Sequence, residues 1–170
     1  LTFDRSFGSI HIRSATGADL DWRRTLLQAR RGDPHLFIAG QVLDALGLPA
    51  LIAIQGGQNV GLLTYRLARE SLDVVSLDVT LERQGAGSML VDAATEVAWQ
   101  QGLSRVSAYT SNDRLDALRF YQRRGFHLAE LRPRALEDYL TENPHLKRRG
   151  KNGIPVRDEV RLDFYRSEPH

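Results

Sequence analysis

The stretch LDVTLERQGAGSMLV, residues 77 to 91, passes from an apolar, strand-like run through two glycines, Gly85 and Gly87, into a helix-like run. Small residues at such a junction let an anion approach the backbone N–H groups of a helix start, where the aligned peptide dipoles leave partial positive charge. Two phosphate-binding patterns can be tested directly. The ATP-type loop G-x-x-x-x-G-K-[ST] is absent, because no glycine here is followed by the required lysine pair. The dinucleotide pattern G-x-G-x-x-G fails at its third glycine, which is Leu90, and the strands upstream read as hairpins rather than a parallel β-α-β unit. An anion-binding junction and a plain tight turn both remain open, and the loop alone does not choose between them.

Upstream, the run 9–16 alternates and reads as a strand, and Asp19 to about Arg31 reads as a helix anchored by Trp22, Leu26 and Leu27 and stopped by Gly32. PHLFIAGQVLDALG, beginning with Pro34 near a helix start and ending at Gly47, predicts a second helix. Three antiparallel strands follow between Ala50 and Val79, with turns at Gly56–Gln58 and near Arg69–Ser71. Downstream, Met89, Leu90, Ala93, Ala94, Val97 and Ala98 share one face of a helix from about Gly87 to Gln101. A strand, a helix from Asn112 or Asp113 to about Arg124, and a strand over 126–132 come next. A polar stretch containing Pro133, Pro144 and Pro155 leads to a last strand over 158–166. The pattern is that of an α/β or α+β domain, with residues 1–170 forming one unit.

Composition narrows the chemistry. The 170 residues include no cysteine, which removes thiolate nucleophiles, disulfides and cysteine-ligated metals. His11, His35, His127, His145 and His170 are scattered without metal-ligand spacing, so no metal is expected. Ser88 stands in G-x-G-S rather than the G-x-S-x-G of a serine hydrolase. No apolar run approaches the roughly 20 residues of a membrane span, and a cytoplasmic protein without a membrane partner is the expectation. With a formal charge of +2, the basic cluster HLKRRGK, residues 145 to 151, reads as a solvated loop face, and no nucleic-acid partner is expected.

The second informative stretch is TSNDRLDALRFYQRRGF, residues 110 to 126, whose helix aligns Arg114, Ala117, Leu118 and Tyr121 on one side. Together with the glycine junction it resembles the GNAT superfamily of acyl-CoA-dependent N-acetyltransferases. There, a strand-to-helix loop [QR]-x-x-G-x-[GA] binds the CoA pyrophosphate, and a later helix N-x-x-A-x-x-x-Y-x-x-x-G-F flanks the pantetheine arm. The resemblance extends from about Ser9 to Tyr165. It implies a mixed, mostly antiparallel sheet of six to seven strands flanked by about four helices, with acetyl-CoA as co-substrate.

Carried over by position, the resemblance implies that Gly85, Ala86, Gly87 and Ser88 offer N–H groups to the pyrophosphate. Leu77 and Val79 would offer backbone hydrogen bonds to the pantetheine and acyl group, and Tyr121 would be the family tyrosine near the sulfur. Glu82 stands where the family has glutamine or arginine, so Arg83 or Gln84 would take that contact. Arg114 stands in the asparagine position, so Asn112 would take the other.

The implied reaction is direct attack of a primary amine on the thioester. The Val79 N–H would face the oxyanion, and Tyr121 would protonate the departing thiolate. An amine protonated at neutral pH must lose a proton first, to a carboxylate or through water. Asp73 ranks before Asp78 as that base, because the resemblance implies a carboxylate about this far upstream on the same strand; strict alternation puts Asp73 on the face of Val75, Leu77 and Val79, with Asp78 opposite. The acceptor, a small-molecule or protein amine, would be chosen by the first two helices and the stretch from Pro133 to Asp158. A homodimer is compatible with the family. A catalytically weak module that binds acyl-CoA as a sensor is the alternative, motivated by Glu82 and Arg114.

Overall fold

The computed structural model describes residues 9–80, 85–150 and 152–167. Seven strands form one sheet: β1 (His11–Ser14), β4 (Ala50–Gln55), β5 (Gln58–Leu67), β6 (Ser71–Val79), β7 (Arg105–Ser111), β9 (Glu159–Tyr165) and β8 (His127–Arg132), in that spatial order. Every pairing is antiparallel except β6 with β7, which the helix α2 (Ala86–Gln100) connects as a crossover. With α1 (Leu20–Arg31), α3 (Leu115–Arg123) and α4 (Ala135–Glu142), four helices accompany the sheet, the number that the family resemblance implies.

Each face of the sheet is covered for a readable reason. Helix α2 turns Leu90, Ala94 and Ala98, all fully buried, onto Leu72, Val106, Ala108 and Leu162. Its alanines let the helix approach closely, and Gly61 of β5 matches them: a Cβ there would lie 2.9 Å from Leu90 Cδ1. On the other face, Leu26 and Leu27 of α1 pack on Ile52 and Leu62. A leucine buried to this degree contributes about 1.5–3 kcal/mol over an exposed one. Gly32, at φ 79, ends α1 by donating its N–H to Gln28 O at 3.0 Å.

Two readings are corrected. The predicted helix over 34–47 is a hairpin, β2 (His35–Ile38) paired with β3 (Gln41–Asp44) outside the main sheet, followed by a 3-10 turn at Ala45–Gly47. Its two-residue turn places both Ala39 (φ 52) and Gly40 (φ 80) in the left-handed region, the geometry that matches strand twist. The apolar residues fit a helical face as well as strands, and Ala39-Gly40 is a weaker turn signal than Asn-Gly. The stretch from Pro133 to Asp158 is not wholly irregular, because α4 lies within it. Leu136, Tyr139 and Leu140 carry its helical spacing, and Glu137 and Asp138 complement its amino end.

Alternation along β6 is also broken. Thr64 pairs with Ser76 and Tyr65 with Val74, so Val75 is an extra residue, a β-bulge. The bulge resets the faces. Leu77 and Val79 join Leu72 and Val74 against the α2 core, whereas Asp78 meets Arg31 of α1 and Asp73 meets Arg66. Asp73 and Asp78 therefore share a face, contrary to the expectation from strict alternation.

Candidate active site

Strands β6 and β7 are paired only from Ser71–Val74 to Arg105–Ala108, although β6 continues to Val79 and β7 to Ser111. Beyond the bulge the two strands separate, leaving an opening in the middle of the sheet. Backbone groups of successive strand residues point alternately to the two sides. Thr80 N–H bonds Val60 O toward β5, while Val79 O and Leu77 O accept from Arg30 Nη2 (3.0 Å) and Arg31 Nη2 (3.4 Å) on the other side. The N–H groups of Leu77 and Val79 thus face the opening.

Above that opening stands the amino end of α2. Gly85, at φ 88, is its cap residue, a conformation that an L side chain adopts only with strain. Among the described residues no side chain caps this end, and none offers an acceptor to the N–H groups of Ala86, Gly87 and Ser88, which as the first turn have no intrahelical one. Gly87 brings three elements together: a Cβ there would lie 3.6 Å from Phe120 Cζ of α3 and 3.8 Å from Val79 Cγ1 of β6. Arg83 and Gln84, expected to assist with phosphate, and Glu82 lie outside the described residues.

Tyr121 follows on α3, buried between Phe120 and Phe126, with ring centroids 5.1 Å away in each case. Burial pushes its phenol well above the ordinary value; Arg31 opposes that to a smaller extent, and Asp78 adds to it. Those same two residues form an ion pair at 3.2 Å, which places Tyr121 near the bulged end of β6. Among the described residues its hydroxyl has no hydrogen-bond partner.

Asn112 and Asp73 are held elsewhere. The Asn112 side chain accepts from the N–H groups of Arg157 (2.9 Å) and Asp158 (3.0 Å) and donates to Pro155 O (3.0 Å), tying the loop before β9 to the end of β7. Asp73, 2% exposed, accepts from Arg66 Nη2 at 2.8 Å and Ser71 Oγ at 2.7 Å. It lies where β6 and β7 are still paired, before the opening.

On the side of the sheet occupied by α1, a cavity of about 390 Å³ reaches the separating strands at Val75, Tyr109 and Ser111. Its walls come from the end of α1, from β2 and α4, and from the loop 145–147. Phe37 of the hairpin stacks on Tyr139 of α4 at 5.0 Å, joining the two elements that the sequence reading did not identify. Asp33 accepts from His35 N–H at 2.8 Å, which, with the histidines 35 and 145 beside it, holds its carboxyl below the usual range. Glu159 of β9 also lines the cavity, and burial raises its carboxyl above the ordinary value.

Sequence reasoning did not identify Arg30, Arg31 and Glu159 as site residues. Helical spacing says nothing about where two arginines at the end of α1 reach, and Glu159 reads only as the start of an alternating strand. Among the described residues, no group of three histidines or carboxylates could hold a metal ion, and no helix is long and apolar enough to cross a membrane.

Known proteins resemble this chain in sequence or in fold. The chain is 31% identical over 140 residues to the uncharacterized protein YxbD of Bacillus subtilis (strain 168), spanning 79% of this chain and 86% of YxbD. Its fold matches an IAA acetyltransferase from Bacillus cereus ATCC 14579 with a TM-score of 0.74 at 22% identity, covering 92% of this chain and 99% of that one. It also matches a GNAT family acetyltransferase from Elizabethkingia anophelis with acetyl-CoA bound, with a TM-score of 0.73 at 21% identity, covering 93% and 99%. Residues 18–126 match the acetyltransferase (GNAT) family, an extent that takes in α1, the opened strands, the uncapped start of α2 and Tyr121. By that match across more than half of its length, the chain belongs to the GNAT family of acetyltransferases.

Proposed function

We propose that the chain is a single N-acetyltransferase domain that moves an acetyl group from acetyl-CoA to a primary amine by direct attack. The observation that carries this reading is the opening between β6 and β7, with an uncapped helix start on one side and a cavity on the other. The residues present fit the coenzyme. Among the described residues, nothing takes the N–H groups of Ala86, Gly87 and Ser88, which suit a pyrophosphate, or those of Leu77 and Val79, which suit an extended arm, and Phe120 and Val79 lie close to Gly87 between them. When bound, acetyl-CoA supplies an activated acyl thioester.

The chain's own groups then divide the work. The Val79 N–H is a fixed donor for negative charge developing on the carbonyl oxygen, and the guanidiniums of Arg30 and Arg31 hold the strand beside it. Tyr121 stays protonated throughout the neutral range, because its burial raises the phenol, and so can donate to the departing sulfur. Asn112 acts through the loop it holds, and Asp73 acts through Arg66; neither needs to touch the coenzyme. Arg83 and Gln84 remain the proposed phosphate contacts beside the helix start. The amine enters from the cavity, whose volume suits a small molecule or one side chain.

Calorimetric titration with acetyl-CoA, followed by thiol release against a panel of amines, tests the reading. Saturable binding and amine-dependent thiol release are expected. Binding without release favours a sensor module, and absence of binding overturns both.

A further inference from the structure

Among the described residues Glu159 is the one carboxylate lining the cavity, and it has few partners there. Its side chain is 3% exposed. Both oxygens share a single donor, the Ala39 N–H, at 3.2 and 3.1 Å, and Arg132 Nη1 stands 3.5 Å away as an ion pair. An ionised carboxylate accepts about four hydrogen bonds, and leaving a buried charge so incompletely satisfied is costly. Ala39 supplies its N–H from the left-handed turn of the β2–β3 hairpin, a conformation unusual for alanine. The aromatic rings of Phe37 and Tyr139 form a wall of the same cavity.

We propose that Glu159 receives the ammonium group of the acceptor, a primary amine on a small aromatic or apolar body, and takes the proton that must leave before attack. The proposal rests on the acetyltransferase reading above. In the step, the ammonium gives one proton to a Glu159 oxygen, directly or through one water, and Glu159 later passes it to solvent. The nitrogen lone pair forms the C–N bond as the C–S bond breaks. Tyr121 protonates the sulfur, and the second proton shed by the nitrogen restores Tyr121. The amide, the free thiol and one released proton balance the reaction. Burial that lifts a carboxyl toward neutral pH suits such a base. His35 and His145, the other titratable side chains at this wall that could accept a proton, are more than half exposed, at 56% and 55%.

The test compares wild-type protein with Glu159→Gln, whose amide oxygen can still accept from Ala39. The probes are benzylamine, protonated at neutral pH, and trifluoroethylamine, largely neutral there. Acetyl-CoA affinity and melting temperature are expected to stay at wild-type values. Benzylamine kcat/KM should fall about 10²-fold or more, while trifluoroethylamine falls less than about threefold, because only the first amine needs a base. Glu159→Asp should retain an intermediate benzylamine rate. Equal losses for both amines, no loss at all, or a pKa-dependent loss in His35→Gln in place of Glu159→Gln would each overturn the assignment. Wild-type protein that binds acetyl-CoA but leaves benzylamine unacetylated also overturns it, whereas failure to bind acetyl-CoA overturns the acetyltransferase reading itself.

Discussion

The two sides of the opening between β6 and β7 are built differently. The proposed coenzyme side uses backbone: N–H groups of Leu77 and Val79, the uncapped start of α2, and glycines where chain and ligand must come close. The acceptor side uses side chains drawn from segments far apart in the chain, among them α1, β2, α4 and β9. A backbone site serves one ligand and tolerates variation around it, because its donors do not depend on residue identity. A side-chain cavity can be altered residue by residue while the coenzyme stays where it is. One family can thereby keep one donor and serve many acceptors.

That division can be broken by substitution, and the sharpest break concerns Tyr121. Tyr121→Phe should lower kcat about 10²-fold if the hydroxyl protonates the sulfur, with acetyl-CoA affinity and melting temperature nearly unchanged. Unchanged turnover in steady-state assays would return Tyr121 to a packing role. Next in size is Gly85→Ala, which forces alanine into a left-handed conformation at the helix start. It should destabilise the protein by about 1 kcal/mol and weaken acetyl-CoA binding, read by chemical denaturation and calorimetry. The acceptor KM should be affected only through the coenzyme.

The converse variant is Phe37→Ala, which removes the ring stacked on Tyr139. It should raise the KM of an aromatic acceptor about fivefold, corresponding to roughly 1 kcal/mol of ring packing, and leave acetyl-CoA affinity at the wild-type value. A change in coenzyme affinity of similar size would show that the two sides are not separable.

The smallest effect is remote from both sides and serves as a control. Arg13 donates to both oxygens of Asp19 at 2.8 Å and holds that carboxyl far below its usual value. A depressed folded-state value means stability present above the unfolded value near 4 and lost as pH falls below it. Asp19→Asn should be less stable at pH 7 and lose less on acidification, measured by denaturant titration at pH 7 and pH 3. Its effect on kcat should be negligible.

Most of the sheet, α1, α2 and α3 were legible because their signals are local: alternation, helical spacing and glycine stops. The glycine junction was legible for the same reason, since backbone chemistry recurs at fixed spacing along the chain, and the resemblance of residues 110 to 126 to the family's second motif marked Tyr121 as a candidate. The hairpin β2–β3 was not, because LFI and VL satisfy helical and strand patterns alike, and the outcome depends on Phe37 meeting Tyr139 more than a hundred residues away. The bulge at Val75 was also invisible. It places Asp73 and Asp78 on one face through a register shift that only the pairing with β5 imposes.

By itself the sequence determined the order of most elements, the absence of cysteine chemistry, and the pair of motifs, 77 to 91 and 110 to 126, that together resemble the family. Tertiary structure alone decided which carboxylate reaches the cavity. Asp73 is conspicuous on the strand leading to the motif, yet Arg66 and Ser71 hold it where the strands are still paired. Glu159 stands 86 residues further on, and the antiparallel pairing of β9 with β7, opposite Ser111, brings it there. Backbone sites are written in neighbouring residues, whereas side-chain sites are assembled from distant ones by packing.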